Sequence, residues 1–432
     1  MNPAPIITFQ PPTGFIQVES QVAGVSVYAP APEDPNTTPE SLQFKCPQCG
    51  ATTAYDPGAD SLVCAHCGYR EHNQVEVVGR QAAEDEFTLE NLALAERGWG
   101  EDRKELHCDS CGADISLAAD DLSTTCSFCG SNRVVARLVS QEALRPRFLI
   151  PFKLTTEQVR AKVGEWLGQG WMFPSHLTTL ARKALFRGVY LPFWTFDASI
   201  LAQWKAEVGY ERHVRYYDSS SKSWKTRVRI DWRWESGQVQ TNPDDWLGIG
   251  TSRISKVLLQ RLYPFDLQEL AAYQPGFLAG WQASNYDISL QDAWESVKED
   301  MREQTQRACR AQIPSVHVRN FAMTADFADE TWRYILLPVY ISTYPYENKI
   351  YQILINGQNG TVSGQKPVAW WKVWLAVAGL LMPGVLLALV GLVLLLVGGL
   401  GLIPLGLGAI LFIIGLVIAV TIVQKAMQAG VA

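Results

Sequence analysis

The chain has 432 residues, 47% of them apolar, with 15 Trp, 15 Tyr and 16 Phe. That is enough to bury two or three cores and excludes a wholly disordered polypeptide. The net charge of −6 excludes a uniformly basic, nucleic-acid-coating protein.

Residues 1–40 carry eight prolines and four acidic groups with no basic one. This is linker composition, expected to be extended and mobile, with strand-like alternation between Phe15 and Tyr28. Met1 to Gln10 lacks the basic start and apolar run of a secretion signal, so export of the bulk of the chain is not expected.

The cysteines follow. Cys46-Pro-Gln-Cys49-Gly50 precedes Cys64-Ala-His-Cys67-Gly68 by fourteen residues, and Cys108-Asp-Ser-Cys111-Gly112 precedes Cys126-Ser-Phe-Cys129-Gly130 by the same number. Each Cys-x-x-Cys-Gly turn aims two thiolates at one point, and its glycine permits a left-handed backbone. Two such turns complete a sulfur tetrahedron with no open position, so the spacing predicts two structural Zn2+ sites in small β ribbons, with iron as the competing ion. A redox dithiol requires no second pair at fixed separation, and disulfides do not suit a reducing compartment. His66 and His107 adjoin ligands but are expected to be spectators, and the ninth cysteine, Cys309, lies on an apolar helical face as core. Residues 41–139 hold sixteen acidic and eight basic groups, which favours protein partners over nucleic acid. Between the ribbons, Ala82 to Arg97 is expected to form an acidic helix.

Residues 140–366 alternate helical and strand patterns. Thr155-Thr-Glu-Gln158 and Ser289-Leu-Gln-Asp292 open helices by capping, and Leu177 to Leu185 and Ile254 to Leu262 suggest two more. Strands are expected at Val189–Ile200, Trp204–Tyr217, Trp224–Glu235, Trp332–Tyr344 and Lys349–Ile355, giving an α+β domain of antiparallel hairpins. Two similar strands, around Pro192 and Pro338, suggest a duplicated half-domain, and each proline is expected at an edge or bulge because it cannot donate to a ladder. In the third strand Lys225, Arg227, Arg229 and Arg233 alternate with apolar residues and share a face, with Arg212, His213 and Arg215 on the partner strand. Those six cations, Arg212, Arg215, Lys225, Arg227, Arg229 and Arg233, are candidate contacts for anionic lipid; the competing reading is an ordinary solvated face paired with Glu207 or Glu211. Asp244-Asp245 reads as a turn or cap.

From Val373 to Gln424 there are 52 residues without Asp, Glu, Lys or Arg. A bilayer core of about 30 Å needs about 20 helical residues, so this is two spans, expected at 373–397 and 403–423 around the glycine-rich turn that ends at Pro404. Lys366, Lys372 and Lys425 flank the pair while its turn is uncharged, which by the positive-inside bias places both ends in the cytoplasm. The expected domains are a disordered segment 1–40, ribbons 41–75 and 105–139 around an acidic helical connector 76–104, the α+β domain 140–366, a transmembrane hairpin 367–425 and a cytoplasmic tail 426–432. No His-Glu-x-x-His, Gly-x-Ser-x-Gly or Walker motif is present, so no enzyme is expected.

Taken together, the tandem Cys-x-x-Cys-Gly ribbons, the Val189-Tyr-Leu-Pro-Phe-Trp-Thr-Phe-Asp197 and Leu337-Pro-Val-Tyr-Ile-Ser-Thr-Tyr344 strands, the Ile355-Asn-Gly-Gln-Asn-Gly-Thr-Val-Ser-Gly364 turn and the apolar tail resemble bacterial zinc-ribbon membrane proteins often labelled primosomal-helicase-like. The resemblance runs from Phe44 onward. No nucleotide site supports the helicase label. Some proteins of this kind resemble membrane partners of phage shock protein A, which acts in envelope stress. The resemblance implies a non-enzymatic adaptor in the bacterial cytoplasmic membrane that presents a protein-binding head, homo- or hetero-oligomeric. The alternative is a membrane-tethered nucleic-acid-binding protein.

Overall fold

The computed structural model describes residues 15–18, 27–30, 44–71, 77–88, 97, 99, 103–118, 125–137, 143–179, 184–347, 349–398 and 401–431. Residues Met1–Gln43 form a unit of their own. Within it Phe15–Val18 and Val27–Pro30 pair as antiparallel strands, at the two ends of the alternating stretch; the remainder of the proline-rich segment lies outside the described residues. The second unit, Phe44–Ala432, holds everything else.

A large, mostly antiparallel sheet dominates the second unit. Helix α1 (Thr156–Gly168) opens with the expected capping box between Thr155 and Gln158 and buries Val159, Val163 and Leu167. Strand β1 (Arg187–Asp218) follows and turns into β2 (Ser223–Thr241). Helix α2 (Leu290–Ala311) is capped by Ser289, strand β3 (His317–Tyr346) pairs antiparallel with β1, and β4 (Lys349–Asn356) pairs with β3. The two strands expected between Val189 and Tyr217 are therefore one, bent at irregularities near Asp197 and Lys205 rather than broken.

The prolines do not mark edges or bulges. Pro192 lies opposite Leu336 and Pro338 opposite Tyr190, so the two look-alike segments are paired in the middle of the sheet. A residue's N–H and C=O point to the same side of a strand. The carbonyls of Pro192 and Pro338 accept from Gly250 and Gly357, so each missing N–H also faces away from the β1–β3 ladder. Each sits where the outer neighbour changes: between Gln282–Ser284 and Trp246–Ile249 for Pro192, and between Phe148–Leu149 and β4 for Pro338. No ladder hydrogen bond is lost there.

Alternation sorts the core into two faces. Tyr190, Trp194, Phe196 and Ile200 of β1 join Trp332, Tyr334, Leu336 and Tyr340 of β3 under α1 and α2. Val189, Leu191 and Phe193 join Ile335, Leu337 and Val339 on the other face, beneath Leu258, Leu259 and Phe265. These side chains are fully or almost fully buried, so each face is held by transfer of apolar area at about 25 cal/mol per Å².

One expected helix is corrected and another ends earlier than expected. The connector helix from Ala82 is not formed over the described residues: a 3-10 turn at Gly79–Gln81 leads into Asp85–Glu86, which pairs with Thr331–Trp332 of β3. Strand pairing and an ion pair from Glu84 to Arg333 (2.5 Å) outweigh the local helical propensity; residues 89–96 lie outside the described residues. The helix expected at Leu177 to Leu185 is helical at 177–179 and not at 184–186, and residues 180–183 lie outside the described residues.

The C-terminal helices are α3 (Trp370–Gly398) and α4 (Leu402–Val431). Both are long and apolar enough to cross a membrane, and only 11% and 17% of their most apolar windows are buried. A soluble core helix would be mostly buried, whereas here Leu386, Leu389, Val393, Ile413 and Val417 face outward. Pro383 lies within α3 without ending it. Glycines set the spacing: a Cβ on Gly391 would lie 2.4 Å from Leu405 N, and one on Gly408 would lie 2.5 Å from Ala388 N. The two backbones are in contact there.

Candidate metal centres

All four Cys-x-x-Cys-Gly segments adopt one turn. Gly50, Gly68, Gly112 and Gly130 have φ between 70° and 76°, the left-handed region where glycine carries no Cβ penalty. Each glycine N–H donates to the carbonyl of the first cysteine, at 2.7 to 2.9 Å. The turns converge in pairs: the sulfurs of Cys46, Cys49, Cys64 and Cys67, and those of Cys108, Cys111, Cys126 and Cys129, lie within 4.8 Å of one another in each set. Shortest separations are 3.4 Å (Cys46–Cys67) and 3.6 Å (Cys49–Cys64) in the first, and 3.7 Å (Cys108–Cys129) and 3.6 Å (Cys111–Cys126) in the second. A tetrahedron with metal–sulfur bonds of about 2.3 Å has edges of about 3.8 Å, so both sets fit a four-thiolate ion. Neither histidine joins them. His66 is exposed, and His107 Nδ1 lies 2.6 Å from Asp114. Cys309 is buried beside Met323.

The two units are built into opposite faces of the sheet rather than forming a separate head. In the first, Tyr55 and Leu62 enter the core under α1 and α2; Tyr55 N donates to Ala279 O (3.0 Å) and Trp281 Nε1 to Tyr55 O (2.9 Å). In the second, Cys108, Cys126, Phe128, Ile115 and Leu117 belong to the other core. Strand Asp114–Ala118 continues the main sheet through Ala283 and Ser284. A metal bound at either set would hold side chains against a face of the sheet.

The hairpin of β1 and β2 runs on beyond β3. The last β3 residue to pair is His317, opposite Gly209, whereas β1 and β2 stay paired to Asp218 and Ser223. The resulting two-stranded arm, residues 210–234, holds seven basic and three acidic side chains. Register places Arg212, Lys225, Arg227, Arg229 and Arg233 on one face, with Tyr210 and Tyr216. Arg215 points the other way, over Trp224 (5.9 Å), on a face carrying the exposed Tyr217, Val228 and Trp234. Several cations have partners on the arm itself: Asp231 for Arg212 and Arg229, and Asp218 for Lys225. The expected partners differ, since Glu207 takes Arg319 and Glu211 takes His317. The arm leaves the end of β1 farthest from Arg187, which lies opposite Ile341 of β3.

Next to the first apolar helix, Lys366 is 7% exposed. Its Nζ donates to the carbonyls of Trp166 and Gln169 at the C-terminal end of α1 and lies over the Trp166 ring (4.0 Å), where the helix dipole favours a cation. Burial lowers its pKa to about 8. Lys372 donates to Phe173 O (2.8 Å) and Ala369 N to Met172 O (2.8 Å). Lys366, just before the first apolar helix, and Lys372, in its first turn, are therefore both bonded to the sheet domain.

Sequence reasoning missed a charged cluster in the core. Arg333 is fully buried; its Nη2 lies 2.5 Å from Glu84, 2.9 Å from Asp245 and 3.5 Å from Asp197. Asp245, expected in a simple turn, has a left-handed backbone (φ 56°) and donates its N–H to Asp197. Burial, then the neighbouring Glu84, pushes Asp197 up to about 7, and burial raises Asp245. For Glu84, hydrogen bonds with Thr331 and Asp197 and the charge of Arg333 outweigh burial and hold its pKa low. The only sequence signal was Asn242-Pro243-Asp244-Asp245, which announces a turn but not what it buries.

No protein-family model matches the chain, and no solved structure does. The chain is similar to the uncharacterized protein YdjG of Bacillus subtilis (strain 168), with 28% identity over 342 residues, covering 78% of this chain and 94% of that one.

Proposed function

We propose that the chain is a non-enzymatic adaptor of the bacterial cytoplasmic membrane, anchored by α3 and α4 and stabilised by two structural Zn2+ ions. The observation that carries this reading is the bonding of Lys366 and Lys372 to a sheet domain with a four-cysteine cluster on each face: anchor, domain and clusters are continuous. When bound, the ions cross-link the thiolates; the chain's own residues fix the turns and present a surface at the membrane. Lysines on the sheet side of the anchor support a cytoplasmic orientation. By the resemblance noted above, the partner is a peripheral membrane protein of the phage shock protein A type, acting in envelope stress.

Sheet geometry qualifies the lipid contact proposed for the arm. From Arg187 to Asp218 the strand has a contour of about 100 Å, so a headgroup contact needs the sheet to lie along the bilayer instead of standing on it. A second reading, nucleic-acid binding, is favoured by the arm's basic face and exposed tryptophans. Affinity capture of the detergent-extracted chain, with and without nuclease, separates the two. A co-purifying membrane protein lost with Cys46→Ser/Cys49→Ser supports the adaptor; nuclease-sensitive recovery supports the second reading and refutes the first.

A further inference from the structure

The two cysteine clusters share a turn and a ligand set but differ in cover. In the first, Cys49 and Cys67 are exposed, as are Pro47, Gln48, Ala65 and His66, and nothing lies within 4 Å of a Cβ built on Gly50 or Gly68. In the second, Cys111 and Cys129 are half-buried, and Ser127 and Phe128 are buried. Asp109, Ser110 and Gly130 are exposed, but side chains crowd both turns: a Cβ on Gly112 would lie 2.9 Å from Arg253 Nη1, and one on Gly130 would lie 2.8 Å from Thr343 Oγ1. Arg253 is itself fixed by Asp287 (2.9 Å), and Gln352 Nε2 donates to Phe128 O (3.0 Å). Sulfur separations are alike in the two sets, so distance does not distinguish them. Access does.

We propose that the first cluster is an oxidation site for hydrogen peroxide and small peroxides, from which zinc is released, and that the second is a permanent staple. The proposal rests on the zinc reading above. Metal-bound thiolates remain nucleophilic, and attack on a peroxide O–O bond requires the oxidant to approach sulfur from outside the tetrahedron. Cys49 and Cys67 offer that approach, while at the second cluster the half-buried Cys111 and Cys129, crowded by Arg253 and Thr343, offer less of it. One thiolate displaces hydroxide from peroxide to give a sulfenic acid; a second thiolate of the set displaces the hydroxyl to form a disulfide. For the whole cluster, four thiolates and the ion consume two hydrogen peroxide and four protons and give two disulfides, four waters and free Zn2+. Eight electrons are not needed: four leave sulfur and four reduce the two peroxides. Release of the ion unpins the segment that holds Tyr55 and Leu62 against the sheet.

The test uses the zinc-loaded, detergent-purified full chain. Hydrogen peroxide is added, zinc is followed with a chromogenic chelator, and free thiols are mapped by alkylation and mass spectrometry. The expected result is a first phase of one zinc per chain in which Cys46, Cys49, Cys64 and Cys67 lose alkylation, about tenfold faster than the second phase. Arg253→Gly, which uncovers Gly112, accelerates the second phase and leaves the first unchanged. Release of both ions in one phase, or prior oxidation of the Cys108 set, overturns the proposal. The thiol map assigns each phase without any cysteine variant, so a misfolded variant cannot obscure the result. A reduced chain purified without zinc refutes the underlying zinc reading, and the proposal falls with it; equal rates refute the proposal alone.

Discussion

Replacing Arg333 with Met tests whether the buried charges are balanced as described. The guanidinium is fully buried, and the Asp245 and Asp197 side chains facing it are 2% and 16% exposed. Removing one member of a buried pair costs about 3–5 kcal/mol, because the remaining charge is stranded away from water. Arg80 stays 3.6 Å from Asp245, but it is 55% exposed and compensates weakly. Asp197, already raised to about 7, relieves the variant further by holding a proton. The low end, about 3 kcal/mol, is therefore expected, a fall in Tm of about 6–12 °C for a domain of this size. The assay is thermal unfolding of the zinc-loaded, detergent-solubilised chain at pH 7.5 and 6.0. Without the cation the folded acids bind more protons than the unfolded ones, so the variant recovers part of its loss at the lower pH. Adding Asp245→Asn removes the stranded charge and restores at least about 1 kcal/mol. A loss below about 1 kcal/mol, or no recovery in the double variant, would refute the reasoning.

Asp197→Asn flattens a pH dependence. Because the folded pKa lies above the usual 3.8, wild-type stability falls as pH rises through about 4 to 7, by about 1–2 kcal/mol once proton sharing with Glu84 is allowed for. Unfolding midpoints measured across that window should show a shallower slope for the variant; parallel curves would contradict the assignment. In the anchor, Gly391→Ala forces a Cβ against Leu405 N, an overpacking of about 1–3 kcal/mol, and should speed amide hydrogen exchange along both helices. Gly406→Ala, where nothing lies within 4 Å, should leave exchange unchanged; equal behaviour would show that the glycines do not set the contact.

Legibility followed the range of the forces involved. The cysteine turns were readable because their geometry is local: ligand spacing and glycine conformation are fixed within five residues. The apolar helices were readable because a bilayer-length run needs no tertiary partner, and the capping box at Thr155 needs only Gln158. What the sequence concealed was long-range. Phe128 and Tyr55 face opposite sides of one sheet through contacts more than 200 residues away, so the clusters looked like a detached head. Glu84 meets Arg333 across 249 positions, and that pairing drew a helix-prone acidic segment into an extended one. Pro192 and Pro338 suggested edges because one strand alone does not show where its neighbours change. In the arm, alternation identified four cations on one face, but only the β1–β2 register could assign Arg212 to that face and Arg215 to the other.

The central claim, a metal-stapled sheet domain fixed to a bilayer, is tested most directly by metal analysis of the chain purified from alkali-washed membranes under reducing conditions. The account predicts that the chain stays with the washed membranes and carries about two zinc ions per chain, one for each four-thiolate set. Recovery in the alkaline wash, or a zinc content near zero, would contradict it.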